Sequence, residues 1–498
     1  MSSSMLDGRA TTARAIGLFL SLSSVLDRDT RCNWYSANAA FGIREQAGCV
    51  GWLRWLAPFA GRDRARPMRS ESANAAVATC DLNLPGALVT LNSPKPARLH
   101  ASRNRASPRR RRHPGTRAAT VARRDRTVVE HPSKQEADLS RLKTPLCELL
   151  NIEYPILQAG MGGVAFGPLA AAVSKAGGLG TIAAISPTPE RVEQEIKLVR
   201  SLTDKPLCVD IGFPLRAPKN LASIKIENLP SPIVQLQKEI EALGIEVKPV
   251  DDQAMGIEDA KTKLEICFKH KVEVIACALG TPAWVVDECH ARGIKVVSMV
   301  GSARHAKAAI KAGTDVVVVQ GTEGGGHTGD VGLITLLAEV LEFSPVPVVA
   351  AGGIVTGSQI AAVLTQGAQG VWVGTRFIGS QEATVGPNYK QSIVDAGYDQ
   401  TIRSLLFDGL YVRQLKNRYT EVWEGHEDEM LPYPEQRVAI GPVRFASVEA
   451  DLKDHQPLPA GQGSSLIRDV PPAGDVLRRL VDETVATLKD SRGRVEFA

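Results

Sequence analysis

Aromatic side chains make up only 5% of this chain, which argues against a binding module built on aromatic stacking. The eight cysteines, Cys32, Cys49, Cys80, Cys147, Cys208, Cys267, Cys277 and Cys289, include no CxxC pair. Several sit inside apolar runs, where cysteine acts as a small core residue, so neither a disulfide framework nor a zinc site is written here. No apolar run approaches the roughly 18–20 residues of a membrane span. Against these shortages stand 498 residues, 44% of them hydrophobic, with 44 Gly and 30 Pro. That is enough apolar surface for one large core, and disorder throughout is excluded. The lean toward glycine and small apolar residues suits a parallel sheet with tight turns.

The net charge of +5 is an average of two unlike parts. Residues 1–139 carry 23 Lys and Arg against 11 Asp and Glu, a net of +12, so the other 359 carry −7. Residues 1–140 read as an Arg/Ser-rich extension with no sustained period of 2 or 3.6, the composition of a solvated tail. Its arginines are not interleaved with aromatics, which speaks against nucleic acid as a partner. The expected compartment is the cytoplasm. An organelle is the alternative if the apolar island at 15–26, flanked by arginines, is part of a transit peptide, a reading that Asp27 and Asp29 weaken.

From Pro145 the texture becomes short Val/Ile/Ala runs, each followed by a glycine turn and a helical pattern. Strands are expected at Tyr154–Ala159, Leu179–Ala184, Leu207–Gly212, Glu273–Leu279, Lys295–Val300, Asp315–Gln320, Val346–Ala351 and Gly370–Gly374, with helices between them. Eight such units over residues 141–380 predict a (β/α)8 barrel, with a doubly wound sheet as the alternative. Residues 381–498 exceed one closing helix and are expected to form a smaller helical subdomain and tail, with helical patterns at Asn388–Ala396, Ser404–Lys416 and Asp475–Lys489.

Two stretches match a dinucleotide fingerprint, Gly160 to Ala165 and Gly324 to Gly329. Neither is followed by the acid that would hold a ribose, which speaks against a nicotinamide-binding Rossmann domain while leaving room for a phosphate. The stronger signal is paired: Gly352-Gly353 ends the seventh expected strand and Gly374-Thr375 the eighth. In a (β/α)8 barrel those loops form the usual phosphate site, and glycine lets main-chain N–H groups approach the anion. The sixth strand ends in Gln320 and runs into a glycine loop that carries His327, which faces the barrel mouth as a proton carrier or anion ligand. His270, His290 and His305 fall on helical, surface-like patterns, and no set of residues clusters as metal ligands.

The ordered set Pro155 to Gly163, Ala176 to Gly180, Gln320 to His327, Ala351 to Ile354 and Gly374 to Phe377 resembles the nitronate monooxygenase family, over about residues 145–420. The resemblance implies an FMN-dependent (β/α)8 barrel that oxidises alkyl nitronates, or nitroalkanes, with O2 to a carbonyl compound and nitrite. It implies that Met161 and Gly162 line the flavin ring, that Gln320 hydrogen-bonds it, and that Gln158, Gly325 and Gly326 touch the cofactor. Gly352, Gly353, Gly374 and Thr375 would hold the FMN phosphate, with His327 as the catalytic histidine. Asp210 stands where the family commonly has Asn beside the flavin, and a carboxylate there opposes a reduced flavin's negative charge unless protonated or turned away. The loop reads QAGM where many members have Pro before Met. The partners implied are a small nitronate and O2, with no nucleic acid and no membrane; nothing in the sequence signals an oligomeric state. The rival readings are an FMN-dependent NAD(P)H:quinone or enoyl-thioester reductase, a phosphate-binding barrel of the inosine-monophosphate dehydrogenase type, whose loop cysteine is missing here, and a non-catalytic flavin-binding barrel.

Overall fold

The computed structural model describes residues 142–213, 224, 226–249, 256–491 and 493. The readings for residues 1–140 lie outside them. The strands are β1 Ile156–Gln158, β2 Gly180–Ala183, β3 Leu207–Gly212, β4 Val274–Ala278, β5 Lys295–Val300, β6 Val316–Gln320, β7 Gly326–His327, β8 Val348–Ala351, β9 Gly370–Val373, β10 Thr401–Ser404 and β11 Val412–Leu415. All eight expected barrel strands are present, some of them shorter by up to two residues at an end. They pair in parallel in the order β1-β9-β8-β6-β5-β4-β3-β2. The ring closes where Leu157 bridges Leu179, with Gln158 N–H donating to Leu179 O at 2.9 Å. The doubly wound alternative is thereby excluded.

Both faces of each barrel strand are covered, which is why they read as nearly continuous apolar runs. Alternation sorts the side chains. Leu157, Ala159, Cys208, Val274, Ala276, Val297, Val316, Val318, Val349, Ala351 and Trp372 fill the inside. Their neighbours Val209, Ile211, Ile275 and Val296, or Val317, Val319, Ala350 and Val371, pack outward against helices. The helices begin and end on local signals. Thr188 caps Pro189–Leu202 by accepting from Arg191 N–H, and Thr356 with Gln359 forms a capping box on Gly357–Gln366, which stops at Gly367 (φ 119°). Two helices, Ser231–Ala242 and Ile257–Lys269, lie between β3 and β4.

After β9 the chain leaves the barrel and returns to it. The helix Ala473–Ser491 buries Val476, Leu477, Leu480 and Val481 in the same core as Ile360 and Val363. The approach is so close that a Cβ on Gly357 would lie 2.4 Å from Thr484 N. Between departure and return stands a mixed subdomain. The helix Pro387–Asp395 forms within a residue of the expected one, Glu435–Glu449 is a helix where none was expected, and Ser404–Lys416 is not helical. Its ends are strands: β10 pairs antiparallel with β11, and β11 with β7. The turn between them contains Asp408-Gly409, with Gly409 at φ 91°, a glycine conformation that breaks a helix. Tyr419, Trp423, Ile440 and Val443 pack on Ile233, Leu236 and Ile240 of the helix Ser231–Ala242, joining the subdomain to the barrel. Among the described residues no helix is long and apolar enough to cross a membrane.

Candidate active site

The uppermost inward positions on the C-terminal side of the barrel are small. By alternation they are Ala159, Ala183, Ala278, Ala351 and Gly374, with Asp210, Met299 and Gln320 as the larger members. Such a floor accepts a flat ring. Beside it, Gly352 (φ 107°) and Gly353 (φ 71°) turn the chain after β8. A Cβ on Gly352 would meet Gly321 O at 2.9 Å and Gly324 N at 3.2 Å. No described residue accepts a hydrogen bond from the main-chain N–H groups of Gly352, Gly353 or Gly374. Unpaired donors at two neighbouring strand ends make an anion cradle. Thr375 Oγ1 accepts from Gly461 N–H at 3.0 Å, which leaves its own hydrogen to donate to the same anion.

The expected loop residues gather around this cradle. A Cβ on Gly374 would lie 3.4 Å from Met161 Sδ, and one on Gly325 would touch Ala460 and Gly461 at under 3 Å. Gly162 is exposed on the loop after β1. Gln320 Nε2 donates to His327 O at 3.0 Å and to Gly325 O at 3.4 Å, so it holds the Gly324–His327 loop in shape. The segment Ala460 to Leu466 completes the wall; it escaped sequence reading, although Gly461-Gln462-Gly463 is a glycine signal of the same kind. Because a methyl at Gly352 has main-chain atoms on every near side, Gly352→Ala is expected to weaken flavin binding at least about tenfold by displacing the cradle. Flavin fluorescence titration of the apoprotein checks this; unchanged affinity would show that the cradle is not the binding site.

His327 lies on β7, in register with Val412 of β11, not in an open loop. Its ring is 44% exposed, and Nε2 is 2.8 Å from Oδ2 of Asp408, which is 1% exposed. Asp408 Oδ1 accepts from Leu410 N–H at 3.0 Å. Burial raises the Asp408 carboxyl, but the hydrogen bond and charge of His327, the Leu410 N–H and Arg437 outweigh it and hold the group below the ordinary carboxylate range. The ring of Phe407 stands edge-on to the imidazole at 6.4 Å. Arg413 Nε donates to Thr322 O at 2.9 Å, and Arg403 reaches Thr328 and Asp330, so β10 and β11 brace the loop from outside.

Of two further expected ligands, Gln158 is turned away from the mouth and Asp210 is shut off from it. Gln158 alternates with the inward Leu157 and Ala159 and is fully buried. Its Oε1 accepts from Thr181 N–H at 2.9 Å and its Nε2 donates to Ala159 O, tying β1 to β2. Asp210 does point into the barrel, beside Ala183 and Ala276 in register, but it is 1% exposed and roofed by Gly160, where a Cβ would fall 2.1 Å from Oδ2. Neither carboxyl oxygen has a hydrogen-bond partner among the described residues. Burial pushes the group up to about 7. Among the described residues no cluster could hold a metal ion. A groove between the helix Ser231–Ala242 and the subdomain is lined by Glu239, Asn417, Arg418 and His455 among others; there Arg418 grips Glu239 at 2.6 and 3.0 Å with His455 at 3.2 Å.

Residues 143–483 match the family model described as nitronate monooxygenase. A probable nitronate monooxygenase of Staphylococcus aureus is 30% identical over 352 residues, covering 68% of this chain and 97% of the relative. The solved nitroalkane oxidase of Streptomyces ansochromogenes is 32% identical with a TM-score of 0.61, covering 70% of this chain and all of the other. FabK of Thermotoga maritima is 30% identical with a TM-score of 0.56, covering 71% and 99%. With its closed barrel, its anion cradle at the last two strand ends and its mouth histidine, the chain belongs to the nitronate monooxygenase family of flavin-dependent oxidoreductases.

Proposed function

We propose that this enzyme binds FMN and oxidises alkyl nitronates with O2, and nitroalkanes once their α-proton is removed, to a carbonyl compound and nitrite. The observation that carries the reading is His327: an exposed imidazole at the barrel mouth, anchored through one nitrogen to a buried carboxylate and presenting the other. The residues fit FMN. The N–H groups of Gly352, Gly353 and Gly374 with the Thr375 hydroxyl would hold its one phosphate, and the small floor, with Met161 and Gln320 at its edge, would take the ring. When bound there, FMN would supply the redox chemistry between substrate and O2.

The chain's part is orientation and proton handling. His327 in its neutral form takes the α-proton of a nitroalkane on the nitrogen that Asp408 leaves free; in its protonated form it pairs with the oxygens of an anionic nitronate. The ion pair with Asp408 keeps that positive charge from repelling the site's own donors. Gln320, by fixing the loop between Gly325 and His327, sets how far the imidazole stands from the floor.

One preparation tests this. The purified protein is expected to be yellow with flavin absorption bands, to release FMN on denaturation, and to consume O2 with ethyl nitronate or propionate-3-nitronate while forming nitrite. Rapid NAD(P)H oxidation with quinone or an enoyl thioester, without nitronate-dependent O2 uptake, would overturn the oxidase reading in favour of a reductase.

A further inference from the structure

We propose that Asp408 is a positioning residue that fixes the tautomer of His327, making Nδ1 the atom that meets the substrate; the inference deepens the reading of His327 given above and rests on it. Asp408 is almost wholly buried on the turn between β10 and β11, and its two oxygens have separate tasks. Oδ1 accepts from Leu410 N–H at 3.0 Å and Oδ2 faces His327 Nε2 at 2.8 Å. An ionised carboxylate only accepts, so a neutral His327 must carry its hydrogen on Nε2 and its lone pair on Nδ1. Nδ1 has no partner among the described residues.

The surrounding charges support an ionised Asp408. Arg437, on the helix Glu435–Glu449, favours the carboxylate. Arg444 of the same helix stacks on Phe407 at 5.2 Å, with Phe407 in turn edge-on to the imidazole. Arg403 on β10 is paired with Asp330, and Arg413 on β11 donates to Thr322 O. From the barrel side, Gln320 contributes an uncharged amide to the main chain of His327.

The division of labour between the two oxygens makes the asparagine variant informative. In Asp408→Asn the one carbonyl oxygen remains matched to Leu410 N–H, which turns the NH2 group toward Nε2. Nε2 must then accept, and the imidazole hydrogen moves to Nδ1, the wrong place for a base. Asp408→Ala imposes no tautomer at all. For a neutral nitroalkane, whose α-proton the base must take, the expected order of kcat is therefore wild type, then Asp408→Ala about tenfold lower, then Asp408→Asn about 10²-fold lower, with KM little changed. A residue serving only to fill space or support the turn would give the opposite order, since Asn keeps the volume that Ala removes.

The second readout needs no turnover. In the flavin-loaded full chain with 15N-labelled histidine, the His327 signals are identified by their loss in His327→Gln. At a pH where the ring is neutral they should show the Nε2–H form in the wild type and the Nδ1–H form in Asp408→Asn. The same tautomer in both proteins, or kcat falling in step with thermal stability, would overturn the proposal. A wild type inactive on nitronates would refute the substrate reading, and the NMR comparison would still decide the role of Asp408.

Discussion

His327→Asn is expected to lower kcat/KM for neutral nitroalkanes by about 10³-fold while the protein keeps its flavin, fold and yellow colour. Two features make the loss large and confined to the chemistry. The side chain is exposed and makes its one polar contact, to Asp408, on the face away from the free nitrogen, so its removal opens no cavity in the barrel. The cradle proposed for the cofactor consists of main-chain groups at Gly352, Gly353 and Gly374, to which the imidazole contributes nothing. A preformed nitronate needs no proton removed, so the loss with ethyl nitronate should be smaller, about tenfold, reflecting the missing positive partner. Steady-state O2 uptake with both substrates measures the split. Equal losses on the two would mean that the histidine binds the anion and moves no proton; release of flavin would mean that it shapes the cradle.

The part of this site that was legible in the sequence is the part made by local rules. Glycine pairs at strand ends report a main chain that must turn tightly and leave donors free, and Gly352-Gly353 and Gly374-Thr375 do so. The barrel strands were legible because burial on both faces writes itself as Val316–Val319 or Val348–Ala351 without interruption. What was not legible depends on partners distant in the chain. Asp408 meets His327 across 81 residues, and only the pairing of β7 with β11 brings them together. The run Ser404–Lys416 has leucines at helical spacing, yet Asp408-Gly409 in its middle is a turn signal that outweighs them once β11 has a strand to join. The family resemblance implied Gln158 as a cofactor ligand; in the structure its amide satisfies main-chain groups between β1 and β2, a task invisible without the register.

Asp210→Asn is expected to remove a large pH dependence of stability without dislodging the flavin. In the folded chain Asp210 is closed in under Gly160 with no cation and no donor beside it among the described residues, and burial raises it to about 7. In the unfolded chain the group titrates near pH 4. Between those values the folded protein holds a proton that the unfolded chain has released, so stability falls as pH rises from about 4 to about 7 and is level above that, a difference of about 4 kcal/mol in all. Asparagine has the same shape and no charge at any pH. Equilibrium urea unfolding at pH 5 and pH 8 should therefore show the variant gaining about 3 kcal/mol on the wild type between the two conditions. Parallel pH profiles would mean that the carboxyl is ionised throughout and finds a partner, contrary to its isolation here. Because Gly160 begins the loop that carries Met161 and Gly162, an ionising Asp210 also presses on the floor of the site from below, and the wild type alone should lose flavin affinity as pH passes 7.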